Sequence, residues 1–191
     1  SQESGQQLVH ELGRAGQLGV AQGVPAHMIP VALWHTASVG IDLWLSAIAQ
    51  GATQVAVLFT GDEAPQYVEG LQSQMAVAQA LLHGLGYTGT HLHGVHARSA
   101  TDLDAGLRAI GGACGSVPAQ AARFTPTNDK RATLELALDH LVTNAPAREL
   151  PEAIALPKGP SPWGTVVVDK DRCTLCLSCV SACPAGALQD N

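Results

Sequence analysis

Apolar positions along this chain recur with two different periods. Residues 53–60, Thr-Gln-Val-Ala-Val-Leu-Phe-Thr, form a short apolar run rich in branched and aromatic side chains, which predicts a strand. Residues 28–34 form a second apolar run, as expected of a strand buried in a parallel sheet, and residues 90–96 predict a third. Helical spacing fills the intervals. Leu8, Val9 and Leu12 mark a helix over 6–13, and Ile41, Leu45 and Ile48 mark one over 41–50, with Gly51 as its left-handed cap. Residues 65–83 predict a helix with Pro65 in its first turn, and residues 102–110 predict another. Residues 127–144 predict the last, with Thr127 as cap and Leu134, Leu138 and Leu141 as its stripe.

Strand alternating with helix implies an α/β fold: an open parallel sheet with flanking helices, in a flavodoxin-like layout. Residues 1–144 are expected to form this three-layer domain. Because the chain opens on a helix, a preceding strand is expected upstream of it. Residues 145–163 carry Pro146, Pro151, Pro157, Pro160 and Pro162 and predict a linker or wrapping arm. Residues 164–191 remain as a short separate segment.

Composition agrees with a packed fold: of 191 residues, 46% are hydrophobic and 14% charged. A net charge of −6 argues against a nucleic-acid surface. The most apolar window, residues 29–49, is broken by Pro30, His35 and Asp42, so no membrane insertion is expected. Four of the five cysteines share one short run, which implies a reducing compartment, with the cytoplasm as the expected location.

That run reads C-x₂-C-x₂-C-x₃-C-P, through Cys173, Cys176, Cys179, Cys183 and Pro184. Two-residue gaps let the chain curl round a compact metal group. Four thiolates also suit zinc, and disulfides or idle thiols remain further alternatives. The run resembles the first half of a bacterial-type, two-cluster ferredoxin, with residues 165–169 as a strand, 170–172 as a turn, and Ala185-Gly186-Ala187-Leu188 after the proline. The resemblance implies a [4Fe–4S] cluster with Cys173, Cys176, Cys179 and Cys183 as cofactor-binding metal ligands. In that family the first three share one cluster and the fourth serves its neighbour. The second cysteine run is absent from this chain. A fragment of a longer protein, a borrowed fourth ligand or loss of the cluster would each be consistent with that.

Residues 37–45 and 51–57 resemble part of larger proteobacterial iron–sulfur cluster-binding redox proteins. The layout is also similar to the small iron–sulfur subunit of methyl-viologen-reducing hydrogenases. Both resemblances imply electron relay, with redox proteins or other domains of a longer parent chain as partners.

Other residues carry weaker signals. His91 and His93 would share one face of a strand over 90–96 and could bind a transition metal if a third ligand arrived; otherwise they are hydrogen-bonded sheet histidines. Ser38, Thr60, Asp62, Glu63, Arg98 and Ser99 follow predicted strands, where parallel sheets receive ligands, and alternatively serve as helix caps. Residues 84–89 match G-x-G-x-x-G, but a helix precedes and a strand follows, the reverse of a dinucleotide site, so a helix stop is expected. Cys114 is expected to be partly buried and structural, or else a completing ligand. No Ser–His–Asp arrangement or G-x-S-x-G frame is present, and no catalytic residue is assigned. The expected function is iron–sulfur electron transfer. The alternatives are an oxidoreductase subunit with a pocket at the sheet edge, and a structural zinc or interaction module.

Overall fold

Two of the apolar runs meet as a parallel two-stranded sheet in the computed structural model, which describes residues 2–111, 114–158, 163, 167–183 and 188. The chain divides into two units, Ser1–Ser161 and Pro162–Asn191. In the first unit, β1 (Val55–Phe59) pairs in parallel with β2 (Leu92–His96), with Val55 opposite Leu92 and Phe59 opposite His96. The fold is mixed α/β. Two strands do not set a flavodoxin-like order.

Helices cover this sheet because their apolar stripes have nowhere else to go. α2 (Ile41–Ala49) buries Trp44, Leu45 and Ile48, and α3 (Pro65–Gly84) buries Leu71, Met75, Ala78 and Leu82. With α5 (Lys130–Thr143), whose Ala137 and Leu141 are fully buried, they form the main core on Val57 and Phe59. α1 (Gln2–Gln17) and α4 (Ala100–Ile110) form a second core from Leu8, Leu12, Val95, Ala97, Leu103 and Ile110. Tyr87 joins the turn after α3 to the end of α5: its hydroxyl donates to the carbonyls of Leu141, at 2.9 Å, and Asn144, at 3.1 Å. Those carbonyls lack partners within the helix itself. Ile154 and Leu156 pack on the main core, so the proline-rich stretch lies along this unit at those positions.

Four expectations need correction. Residues 28–34 carry no strand, and Ile29, Val31 and Trp34 are 86%, 73% and 87% exposed. A strand exists only through a ladder with a neighbour, and Pro30 has no N–H to offer one. α1 is longer than residues 6–13. α5 is capped by Asp129, not Thr127: the Asp129 carboxylate accepts from the N–H groups of Arg131, at 2.8 Å, and Ala132, at 3.1 Å. A carboxylate suits a helix N-terminus better than a hydroxyl does, because it also meets the positive end of the dipole.

The last correction lies in the second unit. Of the strand expected over 165–169, residues 165 and 166 fall outside the described residues, and 167–169 show no strand. Val167 and Val168 are exposed, without a partner strand among the described residues. The turn into the cysteine run is present: the Asp171 N–H donates to Asp169 Oδ1 at 3.1 Å and the Arg172 N–H to the Asp169 carbonyl at 3.2 Å. α6 (Ser178–Ala182) closes the run.

Candidate functional site

The cysteine run is shaped by two backbone positions that leucine rarely occupies. Leu175 and Leu177 have φ of 56° and 59°, the left-handed region, on either side of Cys176. Each costs a non-glycine residue about 1 kcal/mol, so the loop holds a tight curl against its own preference. Left-handed residues alternating with right-handed ones turn successive peptide N–H groups toward one concavity, a form that receives anionic groups. Leu177 then caps α6, which carries Cys179, and Cys183 follows as its C-terminal cap.

None of the cysteines is in a disulfide; Cys173, Cys176 and Cys179 are exposed and Cys183 is half-buried. The Cys176 thiol lies 3.3 Å from Ser178 Oγ. Hydrogen bonds from the Ser178 hydroxyl, then from the Ser178 N–H, stabilise the thiolate and lower its pKa from 9.0 to about 7. Residues 173–183 contain no Asp or Glu that would oppose a negative metal–thiolate group. Soft, ionisable donors on a curled loop fit an iron–sulfur cluster. Zinc would need sulfurs about 2.3 Å from one ion, and a cluster would need the same sulfurs gathered around its irons. Among the described residues, no three His, Cys, Asp or Glu side chains are gathered for a single metal ion.

The histidine pair is engaged by protein groups. His91 is fully buried just before β2, and both ring nitrogens are engaged. Nε2 lies 2.8 Å from the Ser116 carbonyl, to which it must donate, so Nδ1 accepts from the Gln79 amide at 3.2 Å. Burial, chiefly, lowers its pKa. The ring packs against Gly115, where a Cβ would come within 2.3 Å of it. The pKa of His93 is likewise lowered by burial; its Nε2 lies 3.2 Å from the Thr90 carbonyl and 3.3 Å from Gln54 Nε2. The sequence could not reveal this, because the partners come from α3 and from the loop near 116.

At the edge of the sheet, Thr60, Gly61, Asp62 and Arg98 line one cavity. Ser38 is not among its lining residues; its hydroxyl donates to the His35 carbonyl at 2.6 Å, closing a short turn. Ser99 caps α4, accepting from the Asp102 N–H at 3.1 Å. Residues 84–89 form the expected helix stop, with Gly86 and Gly89 at positive φ. Cys114 is exposed rather than partly buried. Sequence reasoning missed Ser4 and Glu11, which reach the same cavity from α1. It also missed Ser178, although a serine two residues after a cysteine is a legible donor to a thiolate.

Residues 166–189 match the family described as the 4Fe-4S binding domain, and this C-terminal segment is a ferredoxin-type module for a [4Fe–4S] cluster. The matched stretch contains all four clustered cysteines. No curated protein and no solved structure matches the chain. Among the described residues, no helix is long and apolar enough to cross a membrane.

Proposed function

We propose that this chain is an electron-transfer protein or redox subunit in which Cys173, Cys176 and Cys179 ligate one cluster and Cys183, in the family's pattern, serves a neighbouring one. The observation that carries this reading is the 4Fe-4S binding-domain match laid over four cysteines on a loop curled by Leu175 and Leu177. When bound, a [4Fe–4S] cluster accepts and releases single electrons. The cysteines bind as thiolates, and Ser178 favours that form at Cys176 before any metal arrives. Peptide N–H groups of the curl direct partial positive charge at the sulfurs, which tunes the potential. Leu175 is 80% exposed beside the ligands and gives a partner an apolar surface near the cluster. The partners are redox proteins or other domains of a longer parent chain, in the cytoplasm, where thiols stay reduced. On this reading Ser1–Ser161 mounts the module, and residues 28–34, exposed at Ile29, Val31 and Trp34, supply apolar contact to a partner.

Anaerobic voltammetry with parallel EPR tests this. A reversible one-electron couple, with a paramagnetic signal on dithionite reduction, is the expected result. A colourless protein with zinc and no redox response would refute it.

A further inference from the structure

Between its two cores the first unit carries an uncharged, apolar stretch that it does not bury. Residues 15–41 contain no Asp, Glu, Lys or Arg. Within them Ile29, Pro30, Val31, Ala32 and Trp34 are exposed. Ile29, Val31 and Trp34, each between 73% and 87% exposed, leave on the order of 500 Å² of largely apolar surface in water. A patch of that size in so short a stretch marks a contact surface.

The stretch is held at both ends. Val24 packs on the second core, and Ile41 is buried in the main one. Ahead of it the Met28 N–H donates to the Pro25 carbonyl at 2.9 Å, closing a turn. After it the His35 ring accepts from the Ala37 N–H at 3.0 Å and meets Tyr67 edge-on, with ring centres 5.4 Å apart. Pro25 and Pro30 restrict the backbone further. A surface held in this way loses little freedom on docking, so more of the burial carries over into affinity. Because Pro30 has no N–H, the docking works through side chains and not through a shared strand ladder.

We propose that residues 29–34 dock against the same residues of a second copy of this chain, as a two-fold dimer. Charge selects this occupant. A two-fold interface sets one patch against itself, so in a chain of net charge −6 a patch of one sign would repel its copy. The uncharged stretch escapes that repulsion and has no charge with which to steer a charged partner. Two copies together bring on the order of 1,000 Å², about the least that a specific interface needs. The association is therefore weak, setting in above about 10 µM, and the dilute chain leaves Trp34 open to water. This second copy is the partner for the apolar contact assigned to residues 28–34. The pairing rests on that reading of them and not on the cluster, since every residue involved lies in Ser1–Ser161.

Sedimentation velocity of the full chain from about 1 µM to about 1 mM tests this, under argon and with a thiol reductant so that no disulfide links copies. The mass should rise with concentration from one chain to two and stop there, because a two-fold contact closes on itself. Val31→Ser combined with Trp34→Ser, both at exposed positions, should weaken the dimer at least about tenfold and leave the circular dichroism unchanged. Added sodium chloride should not weaken it, since no ion pair holds it. The same dimer is expected with and without the cluster, so a chain that takes up no iron yet dimerises would fail as an electron carrier and still pass here. Four results overturn the proposal. They are one chain's mass throughout, which would leave the stretch to a different protein; growth beyond two chains; an equally strong dimer in the doubly substituted chain; or attachment to phosphatidylcholine vesicles with no dimer. Should the doubly substituted chain misfold, the concentration series of the unaltered chain and of Ile29→Ser decides the matter.

Discussion

Burial holds the His91 imidazole neutral, against the pull of the Ser116 carbonyl toward the charged form, and this has a consequence for stability against pH. Its folded pKa lies below the unfolded value of about 6.5. Above that value both states are neutral and the residue contributes no pH dependence. As pH falls below it, the unfolded chain takes up the proton first, so stability drops until the folded state also protonates. Urea midpoints measured from pH 7.5 down to 5, an interval chosen to bracket the imidazole range, should fall, and less steeply in His91→Gln. Equal slopes would contradict the buried-neutral assignment. Gly115→Ala should destabilise the same unit, by about 1–3 kcal/mol, because the added methyl meets the ring. The sequence placed His91 and His93 on one face but could not show that residues 79 and 116 complete the first ring's bonding. The cysteines were legible because all four lie on one local run. The left-handed conformations of Leu175 and Leu177 were not, since leucine carries no signal for them.

Among the elements, α5 depends on its first turn. Asp129→Ala removes both cap bonds and should cost about 1 kcal/mol, read as a lower urea midpoint, whereas Thr127→Ala keeps those two bonds and loses instead the hydroxyl's contacts with the Asp129 N–H, at 3.2 Å, and carbonyl, at 3.0 Å. The run over 53–60 was legible as a strand because its branched and aromatic residues pair with a second run of the same kind. The equally apolar run over 28–34 was misleading for a physical reason: hydrophobicity says that a segment prefers burial, not that a neighbour exists to pair with it. Trp34 should accordingly be the most readily quenched of the three tryptophans. Trp44 is 3% exposed and Trp163 38%. Acrylamide quenching of Trp34→Phe should lose the steepest component of the unaltered protein; an unchanged quenching curve would mean that residues 28–34 are covered in solution.

For the whole molecule, two cores within Ser1–Ser161 contain no residue of the cysteine run. Cys176→Ala should therefore lose the cluster yet keep the circular dichroism and melting of that unit. Loss of the α/β fold in this variant would mean that the first unit depends on metal in the second. Alternation of strand and helix made the α/β class and the parallel sense readable. The cavity was only half readable, since Thr60, Asp62 and Arg98 follow strands while Ser4 and Glu11 come from a helix whose position the pattern did not fix. Iron and acid-labile sulfide per chain, measured after anaerobic reconstitution and desalting, address the main assignment most directly. Stoichiometric uptake approaching about four of each per chain is expected for one [4Fe–4S] cluster, reduced to background in Cys176→Ala. Background iron in the unaltered chain, or its replacement by a single zinc, would contradict it.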